Sequence, residues 1–175
     1  ISLKNSNNRI KDIFTRVLKG HIAVSNFKLR KKTSGTEIDS KARMYLKQAG
    51  LNYAHGTGHG VGYFLNVHEG PQAISKNNQI SFQKGMIVSN EPGYYEKDNF
   101  GIRIENLIYV KGNRKGMTFE NLTMVPIEKD LIIKENLSKD EKKWLNDYHQ
   151  TVFKNLKRSM NKIEASELKI ACSAI

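Results

Sequence analysis

Ile102-Arg103-Ile104-Glu105-Asn106-Leu107-Ile108-Tyr109-Val110 alternates two kinds of side chain. Ile102, Ile104, Ile108 and Val110 share one parity, with Asn106 among them; Arg103, Glu105, Leu107 and Tyr109 share the other. Successive side chains of an extended chain point to opposite faces, so the stretch reads as a strand with one apolar face. Upstream, Gly85 to Asn90 is a short apolar run closed by Glu91-Pro92. Proline cannot donate to a ladder, so a strand should end there. The segment from Pro92 to Gly101 suits a hairpin connection, which would bring Glu91 and Glu105 to one end of the sheet.

Outward from this hairpin the periodicity changes. Ile10, Ile13, Phe14, Val17, Leu18 and Ile22 form a helical stripe over 10–22. A second helix is predicted over 37–49, with Ile38, Ala42, Tyr45, Leu46 and Ala49 on one face and Gly50 as its stop. Residues 52–67, rich in glycine and aromatics, read as strand and turn. Lys111 to Gly116 reads as a turn, and 117–133 as a further hairpin pair. Ser138-Lys139-Asp140-Glu141 is a capping box opening a long helix with the stripe Trp144, Leu145, Tyr148, Val152 and Leu156. The Lys- and Ser-rich segment after Met160 is expected to fray. Trp144 reads as core, and His21 and His149 as structural. Cys172, in a polar tail, gives no sign of a nucleophile. Helices, then antiparallel strands, then a closing helix make an α+β fold.

Composition narrows the partners. A chain of 175 residues and 20.0 kDa suits one domain. No stretch approaches the roughly 18 apolar residues of a membrane helix, so no membrane partner is expected. Ile1 to Arg9 lacks the apolar core of a signal peptide, and the absent initial Met suggests a cropped or processed chain. One cysteine and no secretion signal fit a reducing, cytoplasmic setting. The net charge of +12 raises the question of nucleic acid. Lys outnumbers Arg by 22 to 7, however, and the clusters Lys28-Leu29-Arg30-Lys31-Lys32 and Arg114-Lys115 are short. Base readout and bidentate phosphate grip favour Arg, so no nucleic acid partner is expected.

The chemistry concentrates in His55-Gly56-Thr57-Gly58-His59-Gly60-Val61-Gly62. It lacks the third glycine of a dinucleotide fingerprint and the Gly-Lys-Ser/Thr of a P-loop. If the segment turns, both imidazoles can line one cavity. His68-Glu69-Gly70-Pro71 resembles a zincin motif only superficially, because Gly70-Pro71 would break the required helix. Glu105 beside Arg103 reads equally as an exposed strand ion pair or as a metal carboxylate with a cationic neighbour. A His with two Glu and no thiolate suits Mn, Zn or Co better than a structural zinc.

Taken together, His55 to Gly62, Asn66-Val67-His68-Glu69-Gly70-Pro71, Asn90-Glu91-Pro92-Gly93-Tyr94-Tyr95 and Gly101 to Asn106 resemble the catalytic domain of Xaa-Pro aminopeptidase, one of the pita-bread metallopeptidases. Val17 to Val24 and Trp144 to His149 extend the likeness to roughly residues 13–150, with a C-terminal helix and tail over 138–175. The resemblance implies one truncated catalytic domain over 1–175, carrying part of the pita-bread fold without its first strands. It implies hydrolysis of the residue preceding proline in peptides with proline at position two. Two metal ions, typically Mn(2+), would bridge an attacking hydroxide. His59, Glu91 and Glu105 would be metal ligands, with Glu105 bridging. His55 and His68 would hold substrate and stabilise the tetrahedral intermediate, and Arg103 would sit beside Glu105.

By this resemblance the site would also use two Asp residues from strands ahead of the first helix, where this sequence has only the nine residues Ile1 to Arg9, most of them polar and none an Asp. That departure predicts at most one weakly held ion and little or no turnover by this chain alone. It also predicts an uncovered sheet edge or helix face, and pairing with a companion N-terminal chain or as a homodimer. A non-catalytic fold remnant that binds a peptide or protein is the alternative reading.

Overall fold

The computed structural model describes residues 6–64, 66–113 and 116–175. Residues 1–5 and the Arg114-Lys115 cluster lie outside the described residues. The chain divides into two compact units, Arg16–Thr123 and a second made of the residues up to Thr15 with Met124–Ile175.

Among the described residues, the first unit holds the end of helix α1 (Asn8–Ser25), helix α2 (Gly35–Lys47) and seven strands. These are β1 (Gly58–His59), β2 (Ala73–Ile74), β3 (Ile87–Asn90), β4 (Gly93–Glu96), β5 (Phe100–Arg103), β6 (Asn106–Asn113) and β7 (Gly116–Asn121). All pairings are antiparallel: β1 with β2, β3 and β7 on either side of β6, and β4 with β5. The core is built from Val24, Ile38, Ala42, Ile74, Phe82, Val88, Ile108 and Val110. Gly20 permits the close approach of the two helices, because a Cβ there would stand 2.3 Å from the Ala42 carbonyl oxygen. The buried Asn90 side chain ties β3 to α1, its amide donating to the His21 carbonyl at 3.0 Å and to Ser25 Oγ at 3.2 Å.

The expected strand 102–110 is two strands. Its alternation holds throughout, with Ile102, Ile104, Asn106, Ile108 and Val110 all buried. Its ladder is interrupted at Ile104-Glu105, opposite Glu91-Pro92. The register nevertheless runs through the break: Asn90 faces Asn106 before it, and Gly93 faces Arg103 beyond it. Ile104 N still donates to the Pro92 carbonyl at 3.3 Å.

The hairpin expected over 117–133 is corrected. β7 pairs with β6, and residues 122–133 hold no strand. Pro126 removes a donor from this segment, and its polar groups are met by other partners, as where Tyr148 Oη donates to the Val125 carbonyl at 2.8 Å. Among the described residues of 52–67, β1 and the single bridge residue Gly60 are extended, and the rest is turn, bend or irregular.

In the second unit, helix α3 (Lys139–Leu156) starts at the capping box read from the sequence. Ser138 N donates to Glu141 Oε2 at 2.7 Å, and Glu141 N donates to Ser138 Oγ at 3.2 Å. Trp144 is half-buried and stacks on Tyr148 with ring centroids 5.4 Å apart. Leu145, Val152 and His149 are fully buried. The tail does not fray: Lys162–Ala171 is a helix, α4, with its own capping box from Asn161 and Glu164. Cys172 is buried, and burial pushes its thiol up, away from nucleophilic character. Among the described residues no helix is long and apolar enough to cross a membrane.

Candidate metal centre

The glycine-rich segment is shaped by contacts that exclude side chains. A Cβ on Gly58 would lie 1.9 Å from the Ser89 carbonyl oxygen, and one on Gly60 would lie 1.9 Å from that of Glu69. The alternate glycines therefore let β1 press against β3 on one side and against the returning 61–69 segment on the other. The Gly60–Val88 bridge fixes this placement. His59, between the two glycines, donates its backbone N–H to Ser89 Oγ at 2.9 Å, and that hydroxyl donates to Glu91 Oε1 at 2.8 Å.

His59 Nδ1 lies 3.1 Å from the Gly60 carbonyl oxygen. A carbonyl only accepts, so the ring proton is assigned to Nδ1 and the lone pair to Nε2. Nε2 faces Glu91 Oε1 at 3.3 Å. Two acceptors facing each other at that distance suit a cation bound between them. Glu105 completes the group: one ligand atom each of His59, Glu91 and Glu105 lie within 4.8 Å of one another. Glu91 is buried, His59 half-buried and Glu105 exposed, so the cluster opens to solvent on the Glu105 side. One imidazole and two carboxylates in mutual reach fit a divalent cation that takes nitrogen and oxygen ligands.

Arg103 reaches Glu91 rather than Glu105 in its ion pair, with Nη1 3.5 Å from Glu91 Oε2. Its Nε donates to Tyr95 Oη at 2.6 Å. Partial burial opposes the guanidinium charge, but the Tyr95 hydroxyl and the Glu91 and Glu105 charges outweigh it and push its pKa up. The His68 ring stands 4.1 Å from that of His59. Glu69 turns away to accept from Asn66 Nδ2 at 3.2 Å, and the segment is a bend rather than a helix. The His55 ring lies 4.8 Å from that of Tyr53 and 5.4 Å from that of Tyr95. His59, Glu91, Glu105 and Arg103 thus form one cluster, with His68 against His59 and His55 joined through Tyr95.

Four residues outside the sequence-based set shape this region: Ser89, Tyr95, Asp39 and Arg43. Asp39 and Arg43 are each 1% exposed and pair at 2.8 Å through Arg43 Nε. Arg43 Nη1 donates to Asn52 Oδ1 at 2.9 Å and to the Tyr53 carbonyl at 2.7 Å, and Nη2 donates to the His55 carbonyl at 2.6 Å. The guanidinium also lies over the Tyr53 ring, 3.9 Å from its centroid. The second oxygen of Asp39 accepts from Thr57 Oγ1 at 2.7 Å, and Thr57 in turn accepts from Tyr53 Oη at 2.5 Å. Burial pushes the Tyr53 phenol up to about 12, which keeps it a donor. The signal for this pair was an Asp and an Arg four apart beside the apolar stripe of α2, a spacing that places both on one face.

Imidazole with carboxylates is a donor set of the kind by which proteins hold a divalent cation. Residues 1–112 match metallopeptidase family M24, and residues 115–175 match the C-terminal region of peptidase M24; the chain belongs to this family. Over 150 residues it is 51% identical to Xaa-Pro aminopeptidase 1 of Dictyostelium discoideum, covering 81% of this chain and 24% of that protein. Over 158 residues it is 50% identical to aminopeptidase P2 of Arabidopsis thaliana, covering 85% of this chain and 22% of that protein. Among solved structures it resembles the X-prolyl aminopeptidase of Caenorhabditis elegans, described as a cytosolic enzyme with a di-nuclear active site. The TM-score is 0.93 at 35% identity, covering all of this chain and 30% of that one. The prolidase of Pyrococcus furiosus gives a TM-score of 0.62 at 30% identity, covering 70% of this chain and 35% of that one. The fold is therefore part of the pita-bread fold, and the chain spans about a quarter of the length of the curated relatives it matches.

Proposed function

We propose that this chain is the C-terminal portion of an Xaa-Pro aminopeptidase catalytic domain, acting on peptides with proline at position two. The observation that carries this reading is the convergence of His59, Glu91 and Glu105, within 4.8 Å, where the ladder opens. In this reading those three residues would hold a divalent cation, proposed to be Mn(2+). Such a cation supplies Lewis-acid polarisation and a hydrolytic nucleophile at neutral pH. The chain's own residues do the rest. Ser89 and Arg103 hold the Glu91 carboxylate from both oxygens. The Gly60 carbonyl keeps the His59 proton on Nδ1, so that Nε2 is free to ligate. His68 beside His59, and His55 beside Tyr95, present imidazoles to a bound peptide.

The C. elegans relative is described as dinuclear, whereas the described residues here gather one imidazole and two carboxylates. The proposal is accordingly one weakly held ion and little turnover unless a companion chain or a second copy supplies further ligands. A cytoplasmic setting follows by likeness to the cytosolic relative.

Calorimetric titration with Mn(2+), paired with an assay on a proline-second peptide, tests the reading. One weak site in the native chain, lost in His59→Ala, is the expected result. A folded chain that binds no Mn(2+) at pH 7–8 would overturn the metal reading, and rapid turnover by the chain alone would overturn the single-ion reading.

A further inference from the structure

We infer that Arg43, held by Asp39, is a positioning residue of the candidate site: it clamps the His55 carbonyl and thereby fixes which nitrogen of the His55 imidazole carries the proton. The inference rests on the peptidase reading only in counting His55 as part of the site.

The geometry begins with the ring. His55 Nδ1 lies 2.6 Å from the carbonyl oxygen of Gly56, the next residue. That oxygen can only accept, so the proton is assigned to Nδ1 and Nε2 keeps its lone pair. Nε2 is buried and has no hydrogen-bond partner among the described residues. An unpartnered buried acceptor is costly, so such an orientation persists only where the surroundings impose it. Free imidazole side chains in water favour the opposite tautomer.

The contact that sets the tautomer belongs to a glycine. Gly56 is exposed and has room around it, since a Cβ there would meet nothing closer than 3.4 Å. Nothing about Gly56 itself fixes where its carbonyl points, because glycine has the widest choice of backbone angles. The constraint must come from the residues on either side. Ahead of it, Arg43 Nη2 grips the His55 carbonyl at 2.6 Å, a charge-assisted bond from a guanidinium that is itself held by Asp39 and two other acceptors. Behind it, Thr57 is anchored to the other oxygen of the same Asp39 at 2.7 Å. The Asp39–Arg43 pair therefore holds both neighbours of the one permissive residue. The same anchor reaches the metal side, because Glu91 N donates to the Thr57 carbonyl at 2.8 Å. A lysine at 43 keeps the charge but not the planar fork that serves Asp39, Tyr53 and His55 together.

The test uses the native chain, Arg43→Lys and Asp39→Asn, each checked for folding by circular dichroism and denaturation. Long-range nitrogen–proton NMR of the imidazoles at pH 8 reads the tautomer without metal. The native chain should show His55 protonated on Nδ1, and both variants should move at least about a third of the population to Nε2. If Arg43→Lys does not fold, Asp39→Asn, which keeps the shape of the framework, decides. A purely structural pair would lower stability and leave the tautomer unchanged; that result overturns the inference, as does Nε2 protonation in the native chain. If the native chain binds Mn(2+), the variants should bind it a few-fold more weakly. If it does not, the peptidase reading fails and the tautomer still decides the role of Arg43.

Discussion

Glu91 and Glu105 stand directly opposite each other across a gap in an otherwise continuous antiparallel register. Like charges in that position repel, typically by a few tenths of a kcal/mol to about 1 kcal/mol. The two are not equivalent. Glu91 is buried and served by Ser89 and Arg103, whereas Glu105 is exposed. Glu105→Gln should therefore leave the metal-free fold unchanged, or stabilise it by about 0.5 kcal/mol, while lowering affinity for Mn(2+). Glu91→Gln should destabilise the metal-free fold by about 1–3 kcal/mol, because it takes the charged acceptor from the buried Ser89 hydroxyl and the counter-charge from Arg103. Denaturant unfolding in the presence of chelator, beside a metal titration, reads both. Equal destabilisation by the two variants would refute the asymmetry.

The glycines of the site differ in what they tolerate. Gly58→Ala and Gly60→Ala each drive a methyl into a backbone carbonyl at 1.9 Å, where no flexible side chain can give way. Each should cost about 3 kcal/mol or more, at the upper end of overpacking effects. Gly56→Ala meets only ordinary contacts, from 3.4 Å outward, and should cost less than about 1 kcal/mol. Thermal unfolding of the three variants ranks them, and a harmless Gly60→Ala would contradict the packing described here.

These contrasts also show what the sequence carried. The inside–outside alternation of 102–110 was legible because it depends only on a period of two, which tertiary context rarely disturbs. The break at Ile104-Glu105 was not, because a strand that pauses and resumes in register leaves the alternation intact. His59, Glu91 and Glu105 were grouped by the resemblance of their motifs to a known family, whereas the residues alone left Glu105 equally an exposed strand ion pair. The apolar stripe of α2 carries no information about the charges beside it, so it does not announce Asp39 and Arg43, although their spacing places them together. The apolar side chains of residues 122–133 suit a strand, but Pro126 removes a donor that a strand ladder would need there.

The last helix is the plainest case of a missed local signal. Lys and Ser in the tail suggested fraying, yet Asn161 Oδ1 accepts from Ile163 N at 2.9 Å and Glu164 N at 3.0 Å. At the other end, Lys129 Nζ donates to the Ile170 carbonyl at 2.8 Å. Asn161→Ala should cost α4 about 1 kcal/mol. Hydrogen exchange should show the amides of α4 protected in the native chain and distinctly faster in the variant. Unprotected amides in the native chain would restore the frayed tail.

Two buried histidines give the fold an acid sensitivity. His21 is fully buried, and burial lowers its pKa to about 4. His149 is lowered to about 4 by burial and by the nearby Lys129 charge. The neutral His149 ring accepts the Ile127 N–H on Nε2 at 3.0 Å, a bond that a second ring proton abolishes. In the unfolded chain both imidazoles titrate near 6.5, so below that pH the unfolded state takes up protons that the native state refuses. Stability therefore falls as the pH drops from about 6.5 towards about 4, and this contribution levels off below. Each histidine accounts for up to about 3 kcal/mol over that window. Carboxylates also titrate in its lower half, so the comparison that isolates one imidazole is His149→Gln, which keeps an acceptor and cannot be protonated. Urea unfolding at pH 7, 6 and 5 should show a shallower loss of stability in His149→Gln than in the native chain, whatever the variant costs at pH 7. Parallel pH profiles for the two proteins would mean that His149 takes up its proton as readily in the folded chain as in the unfolded one, and would overturn this account.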